Sequence, residues 1–203
     1  MTAGARFPSR RLFIQSEQWF HRAQASLPGA LPCRKGCSRC CVGPFAITVL
    51  DADELQRGLA ALSETVRHDI VARARTQAAE LAAAFPRLNE TPFLDDWPDA
   101  ERDRLAAQFS DRPCPALDAE GACWIYPFRP LACRTMGIPV ESNGLVEGAC
   151  EVQTAVPLIR PSRALREQEA HLAGDEAEAI ESYRQSRPGL GEELLLAWGF
   201  LPL

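Results

Sequence analysis

Hydrophobic residues recur at helical intervals near the start of the chain. Phe13, Phe20 and Leu27 follow one another at steps of seven residues. A stripe with this period predicts an amphipathic helix over about residues 9–28. The Pro28-Gly29 pair then ends the pattern.

Three further segments have helical patterns. Residues 162–199 are acidic, with a break at Pro188-Gly189, and predict a second flanking helical region. Residues 98–109 predict a short helix. The most regular pattern lies in residues 63–85. There, apolar residues stand at helical spacing between arginines: Val66, Ile70, Ala74, Ala78, Leu81 and Phe85.

A strand and a helix start are predicted after the first cysteines. The segment PFAITVL, residues 44–50, is rich in β-branched and aromatic residues, which is typical of a short strand. Asp51 follows it, and Glu54 comes three residues later. This spacing is typical of a capping box, in which two side chains bond the N–H groups at the start of a helix. It predicts a short helix from Asp51 to about Leu62.

Two turn sequences lie beside cysteines. DAEG, residues 118–121, separates two short extended pieces and predicts a β-hairpin with Cys114 and Cys123 on its arms. Asn143-Gly144 predicts another turn just before Cys150. Together, these patterns predict a mainly α fold with a small irregular β-hairpin.

Composition and charge exclude several classes of protein. The 203-residue chain has a net charge of −5, whereas a general nucleic-acid-binding surface would be basic. No apolar run approaches the roughly 20 residues that span a bilayer, and the N-terminal segment lacks the continuous apolar stretch of a signal peptide. We therefore expect a cytoplasmic protein without nucleic-acid or membrane partners. In a reducing compartment, grouped cysteines indicate metal or redox chemistry rather than disulfides.

The cysteines are the residues that point to a specific chemistry. Four of the eight lie within nine residues of LPCRKGCSRCCVG, residues 31–43. Thiolate is a ligand for both zinc and iron–sulfur clusters. The sequence predicts a single domain over residues 1–203, organised around a cysteine-ligated metal centre, with a metal-binding core of about 33–150. The predicted ligands are Cys33, Cys37, Cys40, Cys41, Cys114, Cys123, Cys133 and Cys150.

Four residues of the second cysteine group are expected to act on the centre without binding the metal. Arg129 and Arg134 would offset the negative charge of the thiolates and donate hydrogen bonds to sulfur. Trp124 would shield the centre from water, which shifts its reduction potential. Tyr126 would donate its hydroxyl to a sulfur or to a backbone carbonyl.

The remaining candidates give no catalytic site. The three histidines, His21, His68 and His171, fall in predicted helices outside the cysteine groups, and we do not expect them to bind metal. The sequence has no Ser/His/Asp arrangement, P-loop or Rossmann fingerprint. We therefore predict no catalytic residue and leave enzyme activity open.

The cysteine blocks resemble those of the YkgJ-type cysteine-cluster proteins, a family described as a zinc- or iron-chelating domain. CSRCCVG is similar to the family's CxxCC core, and CPALDAEGACWIYPFRPLACR is similar to the block that follows it. The resemblance covers about residues 33–134 and implies a metal-binding domain whose metal is not specified. The matching positions are Cys37, Cys40, Cys41, Cys114, Cys123, Ile125, Tyr126, Arg129, Pro130, Cys133 and Arg134.

Three hypotheses for function follow. The first is an iron–sulfur protein with a [4Fe–4S] cluster in a redox, electron-transfer or accessory role, because adjacent cysteines and irregular spacing differ from the paired knuckles of a zinc ribbon. The second is a structural zinc domain that presents a surface to a protein partner. The third is an enzyme with an open metal position or S-adenosylmethionine. Flagellin lysine methylases resemble distant relatives with a similar cysteine pattern, and they use that cofactor with an iron–sulfur cluster. The chain has no Gly-rich strand–turn–helix motif for the cofactor, so we do not extend their activity to it.

Overall fold

The computed structural model describes residues 9–26, 36–138, 140–142, 145–147 and 162–203. These residues are mainly helical, with two small antiparallel sheets of two strands each, which confirms a mainly α fold with a small β component. The helices are α1 (Ser9–Ala25), α2 (Val49–Ala60), α3 (Glu64–Ala84), α4 (Asp99–Gln108), α5 (Leu131–Thr135), α6 (Arg163–Ser186) and α7 (Leu196–Gly199). The strands are β1 (Ala46–Thr48), β2 (Val140–Ser142), β3 (Leu145–Glu147) and β4 (Glu193–Leu195).

The chain divides into two compact units. The first combines Met1–Cys33 with Leu131–Pro188, and the second combines Arg34–Pro130 with Gly189–Leu203. Each unit is therefore built from segments that are distant in sequence. The organisation of residues 1–203 as one domain stays a prediction.

The first unit is built around α1, which packs against α5 and α6. The indole Nε1 of Trp19 donates a hydrogen bond of 3.1 Å to the carbonyl of Leu165 in α6. The helix predicted over 9–28 is confirmed as far as Ala25, and residues 27 and 28 lie outside the described ranges. The buried cluster of this unit comprises Trp19, Phe20, Ala23, Ile138 and Leu165.

Strands β2 and β3 form a hairpin in the first unit. Val140 lies opposite Glu147, and Ser142 lies opposite Leu145. The Asn-Gly turn is predicted between these two strands, at residues 143–144. The two turn residues themselves lie outside the described ranges.

The second unit contains the sheet of β1 and β4. Ala46 lies opposite Leu195, and Thr48 lies opposite Glu193. The strand predicted within residues 44–50 is confirmed. Its partner β4 lies near the C-terminus, so this sheet joins segments about 145 residues apart in sequence.

Strand β4 corrects the helix predicted over 162–199. Helix α6 ends at Ser186, and Gly189 adopts a φ of 94°, in the left-handed region that favours glycine. The chain then becomes extended, because Leu194 and Leu195 are buried beside β1. Helix α6 and the break at Pro188-Gly189 are confirmed. After the break, the apolar residues form a short strand and the four-residue helix α7 instead of the helical segment predicted there.

The start of α2 also differs from the prediction. Thr48 is the N-cap: its Oγ1 accepts from the Asp51 N–H at 3.3 Å, and Asp51 Oδ2 accepts from the Thr48 N–H at 3.1 Å. A capping box is present, but it begins three residues earlier than the predicted Asp51–Glu54 pair. The N3 residue of this box is Asp51, whereas glutamate is usual there. The sequence pattern therefore did not indicate that the box begins at Thr48.

Helix α3 lies within the predicted 63–85 segment and buries the expected positions Ile70, Ala74, Ala78 and Leu81. Helix α4 confirms the short helix predicted over 98–109. Both contribute to a buried cluster of the second unit, which comprises Leu81, Ala82, Phe85, Leu88, Leu94, Trp97, Leu105, Phe109 and Leu195.

Within the described ranges, no helix combines the length and the apolar character needed to cross a bilayer.

Candidate metal centre

The first cysteine loop lies in the second unit and carries Cys37, Cys40 and Cys41. Gly36 and Gly43 bracket it with φ angles of 91° and 78°, which glycine adopts without strain. Inside the loop, the Cys41 N–H donates to the Ser38 carbonyl at 3.0 Å. The loop therefore bends tightly while presenting thiols.

Backbone hydrogen bonds join this loop to the second cysteine group. The Cys114 N–H donates to the Cys41 carbonyl at 2.8 Å, and the Gly43 N–H donates to the Arg112 carbonyl at 2.7 Å. Val42 and Pro113 thus form an isolated antiparallel bridge. The structure brings together two cysteines that are 73 positions apart in sequence, as their residue numbers show.

The predicted hairpin around residues 118–121 is present in a short form: the Asp118 N–H donates to the Ala122 carbonyl and the Trp124 N–H donates to the Ala116 carbonyl, both at 2.9 Å. Asp118 Oδ1 accepts from the Ala122 N–H at 2.6 Å, and Leu117 pairs with Cys123 in an isolated bridge. The prediction of Cys114 and Cys123 on two arms is wrong for Cys114, because its N–H bonds to the first cysteine loop. The residue that faces Cys123 is Leu117.

The thiols interact with one another. A hydrogen bond from the Cys41 side chain, with help from the Arg129 guanidinium, lowers the pKa of Cys40 to about 7. Burial raises the pKa of Cys114 to about 12, and the nearby Cys123 and Cys40 add to that rise. Burial also raises the pKa of Cys123. Four thiols of the second unit are therefore linked by contact or by charge: Cys40, Cys41, Cys114 and Cys123.

Arg129 lies beside this group of thiols. It is buried, with 7% of its surface exposed, and its Nη1 donates to the Tyr126 carbonyl at 3.1 Å. Its guanidinium stands 4.0 Å above the centre of the Tyr126 ring. Its charge contributes to the lowered pKa of Cys40 and opposes the rise that burial causes in the pKa of Cys123, as expected for a cation that offsets thiolate charge.

Trp124 lies on the surface. Its side chain is 46% exposed, although its backbone N–H is held by the Ala116 carbonyl at 2.9 Å. A ring exposed to this degree shields little from water. This placement gives no support to the predicted shielding role.

Cys133 and Arg134 lie on α5, in the first unit. Arg134 is buried, and its Nη1 forms an ion pair of 2.7 Å with Glu17 Oε2 on α1. It also stands over the Phe13 ring at 5.4 Å. Its observed contacts thus hold α5 against α1, and its predicted action on a metal centre stays a prediction. Cys33 and Cys150 lie outside the described ranges.

The aromatic segment after Cys123 packs against α2 at a glycine. A Cβ built on Gly58 would lie 2.8 Å from the Phe128 Cβ and 3.3 Å from Ile125 Cγ2. Only a glycine allows this close approach. Sequence reasoning missed its role, and its one available signal was a lone glycine inside a helical pattern.

Two residues of α3 that the sequence analysis did not single out also contact the second cysteine group. Arg73 Nη1 donates to the Leu117 carbonyl at 2.5 Å, and Gln77 Nε2 donates to the Pro113 carbonyl at 2.7 Å. Their i, i+4 spacing placed them on one helix face, but no feature of the sequence related that face to Cys114.

The donor set fits a thiophilic metal. All six cysteines in the described part of the chain are present as thiols, and the three histidines are exposed. Within the same residues, no three cysteine, histidine or carboxylate side chains surround a single point as ligands. Binding of a metal by this set would therefore draw the thiols closer together than they stand here.

A comparison with protein families identifies the cysteine pattern. A family model named CxxCxxCC, described as "Putative zinc- or iron-chelating domain", matches residues 32–151, more than half of the chain. The first spacing departs from the printed pattern, because three residues separate Cys33 from Cys37. No curated protein and no solved structure shows significant similarity to the chain. The match confirms the cysteine-cluster resemblance, and the chain belongs to the CxxCxxCC family of zinc- or iron-chelating domains.

Proposed function

We propose that the second unit holds an iron–sulfur cluster of the [4Fe–4S] type and serves electron transfer or the support of a partner enzyme. Cys40, Cys41, Cys114 and Cys123 would supply thiolates, with Cys37 as a fifth thiol on the same loop. The observation that carries the proposal is the backbone hydrogen bond of 2.8 Å from the Cys114 N–H to the Cys41 carbonyl, which joins the two cysteine segments. The side chains of the adjacent Cys40 and Cys41 are also hydrogen-bonded to each other.

The spacing of the thiols favours a cluster over a single ion. Five cysteines of the second unit lie on two hydrogen-bonded segments, and four of them would suffice for a [4Fe–4S] cluster or for a structural zinc ion. The adjacent Cys40 and Cys41 differ from the paired knuckles of a zinc ribbon. A bound iron–sulfur cluster would supply one-electron redox chemistry. The chain would hold it in place, partly exclude water around Cys114, and offset its negative charge with Arg129.

The position of the thiols at a surface fits exchange of electrons with a partner. Val42 follows Cys41 directly and is 47% exposed, and Trp124 follows Cys123 directly and is 46% exposed. Cysteines that are adjacent in sequence to exposed side chains lie close to the surface, so a redox centre bound by them would be accessible to a second protein. A reducing compartment such as the cytoplasm would keep the thiols available.

A structural zinc site is the second candidate, and the loops themselves favour it. The segments that carry the cysteines are joined by isolated bridges at Val42–Pro113 and Leu117–Cys123 instead of by strands. Loops with so few regular hydrogen bonds gain stability when a metal cross-links them. Zinc would then hold the fold without redox chemistry.

Substitution of single cysteines tests the proposed site. Cys40→Ser and Cys123→Ser proteins, purified without oxygen, should each lose most of their metal, because a hydroxyl is a poor ligand for these soft metals. Ser38→Ala is the matched control, since it alters the same loop but no thiol. Full metal content in both cysteine variants, measured by elemental analysis, would refute the site in the second unit.

A further inference from the structure

Two side chains of α3 reach the segment that carries Cys114. Gln77 donates from Nε2 to the Pro113 carbonyl at 2.7 Å, and Arg73 donates from Nη1 to the Leu117 carbonyl at 2.5 Å. The two residues stand one helical turn apart. They therefore act on the segment from one helix face.

The two carbonyls flank Cys114 in sequence. Pro113 precedes it, and Leu117 follows it by three positions, while the Leu117 N–H donates back to the Cys114 carbonyl at 3.1 Å. The turn that contains Cys114 is thus held at both of its ends by α3. A peptide fixed at two points loses much of the freedom that a thiol in an open loop retains.

Arg73 also brings a positive charge to this place. Its guanidinium bonds the Leu117 carbonyl at 2.5 Å, and the Leu117 N–H itself donates to the Cys114 carbonyl at 3.1 Å, so the charge lies beside the turn that contains Cys114. Binding of a metal requires deprotonated thiols, and several thiolates gathered at one site repel one another. A fixed cation on the α3 side would reduce that repulsion.

We propose that Arg73 and Gln77 are positioning residues, the α3 clamp, which hold Cys114 ready for metal, and that the charge of Arg73 strengthens metal binding. The proposal rests on the proposed function, since it requires Cys114 to be a ligand. The clamp lies outside the cysteine blocks and adds a helix to the machinery of the centre.

Three substitutions separate the parts of the clamp. Arg73→Gln keeps a hydrogen-bond donor but removes the charge, Arg73→Lys keeps the charge, and Gln77→Ala removes the bond to Pro113. Arg75→Gln is the matched control. Arg75 is an exposed arginine of the same helix, with no hydrogen bond or ion pair assigned to it among the residues that the structure describes.

The probe is Co²⁺ added to the reduced, metal-free full-length chain, with affinity measured by competition with a chelator. A charged hydrogen bond to a carbonyl is worth enough for roughly a tenfold change in affinity. We expect Arg73→Gln to raise the Kd about tenfold, Gln77→Ala to raise it several-fold, and Arg73→Lys to bind more tightly than Arg73→Gln. Arg75→Gln should bind like the wild type.

The absorption of bound Co²⁺ supplies a readout that a loss of stability alone would not change, because it depends on ligand geometry. We expect altered Co²⁺ bands in Gln77→Ala and unaltered bands in Arg75→Gln. Equal affinity in the wild type and Gln77→Ala, with identical bands, would overturn the clamp, even if Arg73→Gln failed to fold. Equal losses in Arg73→Lys and Arg73→Gln would overturn the role of the charge.

The same experiment distinguishes failure of the proposed thiol site from failure of the α3 clamp. If the wild-type chain binds no Co²⁺, the proposed thiol site fails and the clamp fails with it. If the wild type binds Co²⁺ and every α3 variant binds it equally well, the thiol site stands and the clamp alone is overturned.

Discussion

At the scale of single residues, the protein shifts the thiol pKa values of two cysteines in opposite directions. The hydrogen bond from Cys41 lowers the pKa of Cys40 to about 7, whereas burial raises that of Cys114 to about 12. Near neutral pH, Cys40 is therefore about half ionised, and Cys114 is protonated. A metal could bind the Cys40 thiolate directly, whereas it would have to displace the proton of Cys114.

This contrast predicts the order of alkylation in the reduced, metal-free protein. Thiolate is the reactive form, so iodoacetamide should modify Cys40 with a rate that rises through about pH 7, the pKa given for it. Cys114 should stay largely unmodified below about pH 12 while the chain is folded. Mass spectrometry of peptides after timed reactions at several pH values measures both rates.

The control for this prediction is Cys41→Ala, which removes the hydrogen bond that favours the Cys40 thiolate. Its Cys40 should need a higher pH for the same rate. Equal rates for Cys40 and Cys114 at pH 7 in the folded wild-type protein would contradict the assigned environments.

The sequence singled out candidate ligands, whose role stays a prediction, but it did not indicate their surroundings. The pattern of CSRCCVG singled out Cys37, Cys40 and Cys41 because such crowded thiols have few other uses. It could not relate Arg73 to Leu117, since that contact depends on how α3 packs after folding. A contact between residues that are distant in sequence produces no local periodic pattern from which it could be predicted.

At the scale of elements, α2 supports the aromatic segment after Cys123 through the close approach at Gly58. Ala normally stabilises a helix by about 1 kcal/mol relative to glycine. At Gly58, the added Cβ would stand 2.8 Å from the Phe128 Cβ, and overpacking of this kind costs about 1–3 kcal/mol. The contact therefore decides the sign of the substitution.

We predict that Gly58→Ala lowers the free energy of unfolding by up to about 2 kcal/mol. Gly174→Ala in α6 is the control, because no atom lies within 4 Å of its added Cβ, and it should stabilise the protein by about 0.5–1 kcal/mol. Urea unfolding of the two variants measures the difference. Stabilisation by both substitutions would show that the approach of α2 to Phe128 is absent.

The N-termini of α2 and α3 provide a second comparison between elements. Thr48 caps α2 with its side chain, whereas Ser63 at the start of α3 makes no side-chain cap bond. We predict that Thr48→Ala costs about 1 kcal/mol of unfolding free energy and that Ser63→Ala costs clearly less. Denaturant midpoints would report this ranking, and the opposite ranking would contradict the observed capping box.

Elements with strong local patterns were predictable, and those set by tertiary pairing were not. Helix α3 follows from the spacing of Ile70, Ala74 and Ala78 alone. Strand β4 does not, because Leu194 and Leu195 are apolar residues that suit a helix or a strand equally well, and pairing with β1 decides between them.

At the scale of the whole molecule, membership of a zinc- or iron-chelating family agrees with a fold that gathers thiols from two distant segments. Five of the eight cysteines belong to the second unit, which spans Arg34–Pro130 and Gly189–Leu203. The sequence predicted the metal-binding class and the mainly α fold. It could not predict the division into two units, because that depends on which segments pack together.

The most direct test of the central claim is the iron, acid-labile sulfide and zinc content of the full-length chain, purified without oxygen. We predict about four irons and four sulfides per chain, with the broad visible absorption of a thiolate-bound cluster. A colourless protein that contains zinc and no iron or sulfide would contradict the iron–sulfur account and establish the structural zinc site in its place.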